Sequence, residues 1–196
     1  VIRLFGKPFP LFIPPTYQYY PNLVMERLLK RILKPAGHRL ARTILPLKLL
    51  ATRSGLGSFG RNNICYVPGM GSYHRLMAFY SDYPATDDFW QSAELMKSCA
   101  KCWACLRNCP TGAISAGRFL LHAERCITYL NEKAGDFPAW VNPACHNTLI
   151  GCLKCQDICP ENSPFGKWIE PWEEFSEEES LLLMQGDTPE KLSISI

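Results

Sequence analysis

The sequence predicts an α+β protein with short helices and strands around one cysteine-rich segment. Amphipathic helical patterns occur in the N-terminal part and near the C-terminus, with strand-like runs between them. Nine of the ten cysteines lie between residues 99 and 159, which is not the arrangement of a small secreted scaffold stapled by disulfides. The cysteine-rich segment therefore organises the rest of the chain.

The first half of this segment has a specific spacing. Four cysteines follow the pattern C-x2-C-x2-C-x3-C directly before a proline: Cys99, Cys102, Cys105 and Cys109. Bacterial two-cluster ferredoxins hold [4Fe–4S] clusters with this run. The first three cysteines bind one cluster, and the fourth binds the other cluster.

A second, shorter run repeats the end of this pattern. Three cysteines in the spacing C-x2-C-x3-C precede another proline: Cys152, Cys155 and Cys159. A symmetric ferredoxin would have one more cysteine three residues before Cys152, where this chain has Leu149. Two other cysteines are candidates for the missing ligand, Cys126 and Cys145.

We therefore predict two [4Fe–4S] clusters in a ferredoxin-like double-cluster domain. The predicted ligands of cluster one are Cys99, Cys102, Cys105 and Cys159. The predicted ligands of cluster two are Cys109, Cys152, Cys155 and one of the two candidates, Cys126 or Cys145. Zinc is the main alternative, because C-x2-C pairs also occur in zinc sites, but triplet spacing closed by Cys-Pro fits four-ligand zinc poorly.

Charge is distributed unevenly along the 196 residues. Residues 1–81 carry twelve Lys or Arg and one acid, whereas residues 82–196 carry nine Lys or Arg and seventeen acids. This asymmetry predicts an acidic partner, a nucleic acid partner or two halves that pack through complementary faces. No apolar run approaches the roughly 20 residues of a membrane helix, and the proline-broken start does not resemble a signal peptide. We expect a cytoplasmic protein with no membrane segment.

Three parts are predicted along the chain. They are a basic, small mixed α/β portion at 1–81, a ferredoxin-like double [4Fe–4S] domain at 82–165 and an acidic helical tail at 166–196. The tail has a capping box, because Glu179 follows Ser176 by three residues; we expect a helix there that ends at Gly186, and another that begins at Thr188.

Further elements are predicted from local patterns. In the first part we expect a helix from Asn22 to Pro35, a helix over Leu45–Arg53, and a hairpin that pairs Ile64–Val67 with Tyr73–Tyr80. In the second part we expect a short helix over Asp88–Lys97 and a helix over Leu121–Lys133 with Cys126 near its middle.

Residues 55–60 satisfy the dinucleotide-binding pattern G-x-G-x-x-G. That fingerprint requires a strand before it and a helix after it, whereas here a predicted helix precedes and a strand-like run follows. We interpret these glycines as a tight backbone turn.

The cysteine runs and their surroundings resemble the epoxyqueuosine reductase family and its relatives, which include reductive dehalogenases. The pieces that carry the resemblance are Ala51-Thr-Arg-Ser-Gly-Leu-Gly-Ser-Phe-Gly60, Asp82-Tyr-Pro84, Cys99–Ile114, Glu124-Arg-Cys126-Ile-Thr-Tyr-Leu130 and Ile150-Gly-Cys152–Pro160. The resemblance implies that Cys126, rather than Cys145, completes cluster two.

The resemblance also shows departures. Members of the family bind a cobalamin on a larger N-terminal α/β domain, and most of that domain has no counterpart in this sequence. Their acidic proton donor lies shortly before the glycine turn, whereas this chain has no Asp or Glu between Glu26 and Asp82. The helical repeats that extend some members toward tRNA are also absent from the sequence.

We expect electron transfer through two [4Fe–4S] clusters, as a ferredoxin-like module that works with a redox partner protein. The alternative is a truncated or divergent corrinoid-dependent reductase of the epoxyqueuosine reductase type. A third hypothesis is a non-redox role, in which clusters or zinc are structural and the basic half binds an acidic partner. Cobalamin is not expected to bind this chain alone, and tRNA is not expected as a partner, although the resemblance includes it.

Overall fold

A computed structural model of the protein describes residues 1–17, 20–166, 173–185, 187 and 189–190. It combines short α-helices and 3-10 turns with three two-stranded antiparallel sheets. The predicted α+β class is confirmed. Within the described residues, no helix is both long enough and apolar enough to cross a membrane.

The two ends of the chain pack against each other. Strands β1 (Ile2–Leu4) and β2 (Lys7–Phe9) form the first sheet, and helix α6 (Glu177–Gln185) packs against β1. The amide of Arg3 donates to Ser180 Oγ at 2.9 Å, and Ser180 is fully buried. The predicted basic first part and acidic tail are therefore in direct contact.

The capping box predicted for the tail is present. The amide of Glu179 donates to Ser176 Oγ at 3.2 Å, and the amide of Ser176 donates to the Glu179 carboxylate at 2.7 Å. Both hydrogen bonds satisfy amides that the first turn of α6 leaves without helical partners. The predicted helix end at Gly186 and the predicted start at Thr188 lie outside the described residues.

The two N-terminal helices form as predicted, with shifted starts. Helix α1 (Tyr20–Leu33) begins before Asn22, whose side-chain oxygen accepts a hydrogen bond from Arg75 Nε at 2.9 Å. Helix α2 (Leu47–Arg53) begins after Pro46, which has a non-helical ψ of 75°. Long-range contacts and local backbone geometry thus move the helix boundaries.

The predicted pairing of Ile64–Val67 with Tyr73–Tyr80 is wrong. Strand β5 (Cys65–Tyr66) pairs instead with β4 (Ser58–Phe59), inside the glycine turn. Glycine permits this close approach, because a Cβ on Gly57 would lie 2.5 Å from the backbone oxygen of Tyr66. The glycines therefore serve as a tight backbone turn that closes a small hairpin.

The second partner of the predicted hairpin pairs with a different strand. Strand β6 (Phe79–Ser81) is antiparallel to β3 (Leu40–Arg42), with Tyr80 opposite Ala41. Strand β3 follows α1 after the 3-10 turn Lys34–Ala36 and packs against α1. Residues 67–71 form a tight turn, in which the amide of Val67 donates to the backbone oxygen of Gly71 at 2.9 Å.

The short helix predicted over Asp88–Lys97 is also wrong. The backbone there is extended and lies along the edge of β4, with Leu95 in a parallel bridge to Phe59. The amide of Phe59 donates to the backbone oxygen of Glu94 at 3.2 Å, and the amide of Met96 donates to the backbone oxygen of Phe59 at 2.8 Å. These backbone groups pair with β4 rather than within one helix, and the segment leads the chain into the first cysteine run.

The side chain of Asn162 links the end of the second cysteine run to Ser72. Its side chain is 1 % exposed. Its amide oxygen accepts from the backbone amide of Ser72 at 2.8 Å. Its amide nitrogen donates to Ser72 Oγ at 2.7 Å and to the backbone oxygen of Gln156 at 2.9 Å. The side chain thus satisfies buried polar groups on both segments.

We expect Asn162→Ala to lower the free energy of unfolding by about 3 kcal/mol, because it leaves buried donors and acceptors without partners. For a chain of this size that loss lowers Tm by about 6–12 °C. Thermal unfolding of anaerobically purified, iron-loaded protein measures the change. Asn142→Ala is the control, since exposed Asn142 makes one bond within its own turn. Equal Tm values for the two variants would contradict this role for Asn162.

Candidate metal centre

The first cysteine run alternates between short turns and one short helix. Cys99 lies in the 3-10 turn Lys97–Ala100, and Cys105 lies in α3 (Ala104–Asn108); both side chains are 8 % exposed. Cys109 follows α3 in an extended conformation, with φ −73° and ψ 113°. The chain therefore leaves the helix at Cys109, which directs the fourth cysteine away from the first three.

The second run has the same backbone design. Cys155 lies in α5 (Lys154–Asp157), and Cys159 follows it with φ −73° and ψ 124°. These angles are close to those of Cys109. The two runs are thus similar in backbone conformation as well as in cysteine spacing.

Helices α3 and α5 pack against each other and hold the two runs together. A hydrogen bond joins them, in which Asn108 Nδ2 donates to the backbone oxygen of Lys154 at 2.7 Å. Because of this pairing, the last cysteine of each run faces the first cysteines of the other run.

One pocket contains all four cysteines predicted for cluster one. Its cysteines are Cys99, Cys102, Cys105 and Cys159, and Arg61, Asn62 and Tyr66 also line it. Three of the cysteines come from the first run, and Cys159 comes from the second. Four thiols that converge on one pocket from these two runs fit the ligand set of a [4Fe–4S] cluster.

The electrostatics of these thiols agree with their convergence. Burial raises the pKa of the Cys105 thiol, and the nearby thiols of Cys159, Cys99 and Cys102 raise it further. Burial likewise raises the pKa of Cys99, with a further increase from Cys159. Thiols that would repel one another as thiolates are stabilised by a cationic centre, because metal ligands must be deprotonated.

The other predicted ligands form a second group. Burial raises the pKa of Cys152, and the nearby Cys126 and Cys109 thiols raise it further. Burial also raises the pKa of Cys155, as do the thiols of Cys152 and Cys126 and, from the first group, Cys105. The two groups of thiols therefore lie next to each other.

The structure corrects the predicted position of Cys126. The helix predicted over Leu121–Lys133 is broken into a 3-10 turn, Ala123–Arg125, and helix α4 (Ile127–Glu132). Cys126 lies between them with an extended backbone, φ −76° and ψ 126°, at the start of α4 rather than in mid-helix.

Cys145, the other candidate, lies in the 3-10 turn Pro143–Cys145. It is not among the thiols that most strongly raise the pKa of Cys152 or Cys155, whereas Cys126 is among them for both. The structure therefore brings Cys126 to the second group of thiols. Cys65, the one cysteine that lies before residue 99, belongs to neither predicted ligand set and is 2 % exposed in β5.

A single metal ion and a four-iron cluster make different demands on their ligands. Among the described residues, no three His, Cys, Asp or Glu side chains converge closely enough to hold one metal ion. A [4Fe–4S] cluster binds one thiolate per iron around a cube, so its ligands stand farther apart than those of a single ion.

Two backbone amides point at cysteine sulfurs. The amide of Arg61 donates to Cys99 Sγ at 3.4 Å, and the amide of Ala113 donates to Cys109 Sγ at 3.2 Å. Hydrogen bonds of this kind to cluster ligands raise the reduction potential, because they stabilise the more negative reduced state.

Arg61 was not identified from the sequence, although it directly follows the glycine turn. Its guanidinium donates to the backbone oxygen of Cys99 at 2.6 Å and to that of Cys102 at 3.1 Å. It also lies 3.8 Å above the ring of Trp103. The turn therefore fixes a cation at the wall of the first pocket.

Tyr17 was also missed, because its contacts are all distant in sequence. Its ring packs against Gly151, where a Cβ would lie 2.7 Å from Tyr17 Cε2, and its hydroxyl donates to the carboxylate of Glu132. Burial and this hydrogen bond raise the pKa of Tyr17, and Cys126 and Cys152 raise it further. The N-terminal segment thus covers one side of the second group of thiols.

Comparison with known proteins agrees with this geometry. Residues 98–162 match the family model of the 4Fe-4S double cluster binding domain. Over 144 residues the chain is 35 % identical to an epoxyqueuosine reductase of Pseudomonas aeruginosa, which covers 70 % of this chain. Over 114 residues, or 58 % of this chain, it is 39 % identical to the epoxyqueuosine reductase of Escherichia coli.

Solved structures give the same relationship. A selenomethionine-labelled epoxyqueuosine reductase matches 78 % of this chain with a TM-score of 0.64 and 30 % identity. An epoxyqueuosine reductase with an epoxyqueuosine-modified tRNA stem loop matches 74 % of this chain with a TM-score of 0.61 and 31 % identity.

The relatives are considerably longer than this chain. The match spans 39 % of the Pseudomonas protein, 29 % of the Escherichia coli protein and 42 % of the first solved structure. The chain contains a 4Fe-4S double cluster binding domain and is similar, over a stretch longer than that domain, to part of the epoxyqueuosine reductases.

Proposed function

We propose that this chain transfers electrons through two [4Fe–4S] clusters. The observation that carries the proposal is the single pocket in which thiols from both runs converge. In this proposal cluster one is held by Cys99, Cys102, Cys105 and Cys159, and cluster two by Cys109, Cys126, Cys152 and Cys155. When bound, the clusters supply one-electron carriers.

The closing cysteine of each run belongs to the ligand group of the other run, and this arrangement supports electron transfer from one cluster to the other. The first run contributes three cysteines to the first group and its closing cysteine, Cys109, to the second group. The second run contributes two cysteines to the second group and its closing cysteine, Cys159, to the first group, and this exchange of closing cysteines is the one found in two-cluster ferredoxins. Cys105 belongs to the first group and raises the pKa of Cys155 in the second. Adjacent groups of ligands keep the two clusters close together and favour rapid electron exchange.

The protein around the first group limits contact with water and supplies positive charge. Tyr66 lines the pocket of this group, accepts a hydrogen bond from Asn62 Nδ2 at 2.9 Å and is 4 % exposed. Its side chain helps exclude water, and Arg61 adds a fixed positive charge. These are the features by which proteins set cluster potentials.

The alternative function is a corrinoid-dependent reductase, since the matched relatives are epoxyqueuosine reductases. Chemistry of that kind needs a proton donor within hydrogen-bond reach of the substrate. Residues 27–81 contain no carboxylate, so the acid would have to be replaced by another group, such as Tyr66 or His74. We therefore place electron transfer first, and we do not expect cobalamin to bind this chain alone.

Partners follow from the same proposal. Electron transfer requires a redox partner protein. One relative was solved with a tRNA stem loop, but the described residues of the basic N-terminal half show no feature that selects RNA over another acidic partner. Reduced cysteines suit an intracellular location, where thiols are kept reduced for cluster assembly.

We expect anaerobically purified protein to contain about eight iron and about eight sulfide per chain, because two [4Fe–4S] clusters require this number. Dithionite should bleach the visible absorption, and oxidation should restore it. Metal analysis and the visible spectrum measure both properties. Zinc in place of iron, or clusters that cannot be reduced, would contradict the proposal.

Cys126→Ser should remove or degrade cluster two and reduce the iron content toward about half, since a thiolate ligand is lost. The matched controls are Cys145→Ser and Cys65→Ser, which should leave iron and sulfide unchanged. Metal analysis with EPR of the reduced protein measures the outcome. Loss of a cluster in Cys145→Ser, with Cys126→Ser unaffected, would reverse the assignment of the ligand.

We expect cobalamin to bind only weakly. A corrinoid is large and needs a deep cavity with mostly apolar walls, and residues 1–98 must also cover the cluster domain. Titration with cobalamin, followed by its visible spectrum, measures the affinity. Binding at about micromolar concentration or tighter, with loss of the base-on spectrum, would instead favour the reductase.

A further inference from the structure

A surface groove lies beside the pocket of the first group of thiols. About 420 Å³ of open space is lined by six residues: Arg61, Leu95, Ala116, Gly117, Arg118 and Phe119. Arg61 lines both this groove and the pocket that contains Cys99, Cys102, Cys105 and Cys159. The same arginine side chain therefore borders the groove and the cluster-one pocket.

The groove has apolar walls and positive charge. Leu95 and Phe119 are 40 % and 42 % exposed. The Phe119 ring packs edge-on against Phe59, with 5.0 Å between ring centroids, which anchors this wall to β4. Two arginines, Arg61 and Arg118, also line the groove. An apolar patch with cations suits a transient contact with an acidic protein surface.

The segment that supplies five of the six groove residues has an excess of positive charge. Residues 94–125 carry two acids, Glu94 and Glu124, and five exposed cations: Lys97, Lys101, Arg107, Arg118 and Arg125. In the described part of the chain, none of these five forms a salt bridge; Glu124 pairs with His122 at 3.4 Å, and Arg118 contributes to lowering the pKa of Glu124. Residues 145–166, around the second run, carry Lys154 against two acids, Asp157 and Glu161.

The second group of thiols is less suited to this contact. The ring of Tyr17 packs against Gly151, and the amide of Leu149 donates to the backbone oxygen of Phe12 at 2.8 Å. The N-terminal segment therefore crosses the surface beside the second run. This covering directs a carrier to the side of cluster one.

We propose that the groove is the docking site of a small acidic electron-carrier protein that reduces cluster one. This inference rests on the proposed electron-transfer function. The reduced carrier loses one electron to cluster one, which gains it; no bond forms or breaks, and no proton moves. Long-range attraction between the acidic carrier and the cations beside the groove accelerates the encounter.

The experiment uses the iron-loaded protein and a reduced plant-type [2Fe–2S] ferredoxin with net negative charge as the probe. Anaerobic stopped-flow spectroscopy gives the second-order rate constant of electron transfer. Arg118→Glu should lower this constant about tenfold or more at low salt, because it reverses a charge at the docking site. Arg118→Gln should give a smaller decrease. The difference should shrink at about 1 M salt, where the Debye length is about 3 Å.

Arg31→Glu, on the exposed surface of α1, is the matched control and should change the rate constant by less than about twofold. Iron content, reduction by dithionite and the cluster potentials should be unchanged in Arg118→Glu. If dithionite cannot reduce the wild-type clusters, the proposed function itself fails. If the clusters are reducible but Arg118→Glu transfers as fast as wild type, or Arg31→Glu is impaired equally, the docking site is wrong.

Discussion

The packing of α3 against α5 is the contact on which the rest of the described structure depends. Helix α3 carries Cys105 and helix α5 carries Cys155, and each helix is followed by a cysteine in an extended backbone, Cys109 or Cys159. Thiols from both runs meet in one pocket only because these two helices lie side by side. The hydrogen bond from Asn108 Nδ2 to the backbone oxygen of Lys154 adds a polar contact to this packing.

The remaining elements support the two runs from outside. The glycine turn closes the β4–β5 hairpin and presents Arg61 to Cys99, Cys102 and the ring of Trp103. Asn162 ties the end of the second run to Ser72, and Tyr17 packs over Gly151. A small domain with few regular elements thus obtains its order from specific polar contacts, and the proposed clusters would add further cross-links between the runs.

The cysteine groups were predictable from the sequence because ligand spacing is a local property of the chain. The position of Cys126 was not, since the helix expected around it breaks where the backbone becomes extended. The hairpin partner of β5 was mispredicted because the choice depends on how closely Gly57 lets two backbones approach. The extended segment before Cys99 pairs with Phe59, and Arg61 and Tyr17 contact residues far along the chain; none of these contacts has a local pattern.

The central claim is that two [4Fe–4S] clusters lie close together in one domain and exchange electrons. EPR of the fully reduced protein tests this directly, because two neighbouring paramagnetic clusters broaden and split each other's signals. The account predicts a simple signal in partly reduced protein and a spin-coupled signal in the fully reduced protein, with one unpaired spin from each cluster. A fully reduced spectrum from a single isolated cluster, or from two clusters without coupling, would contradict it.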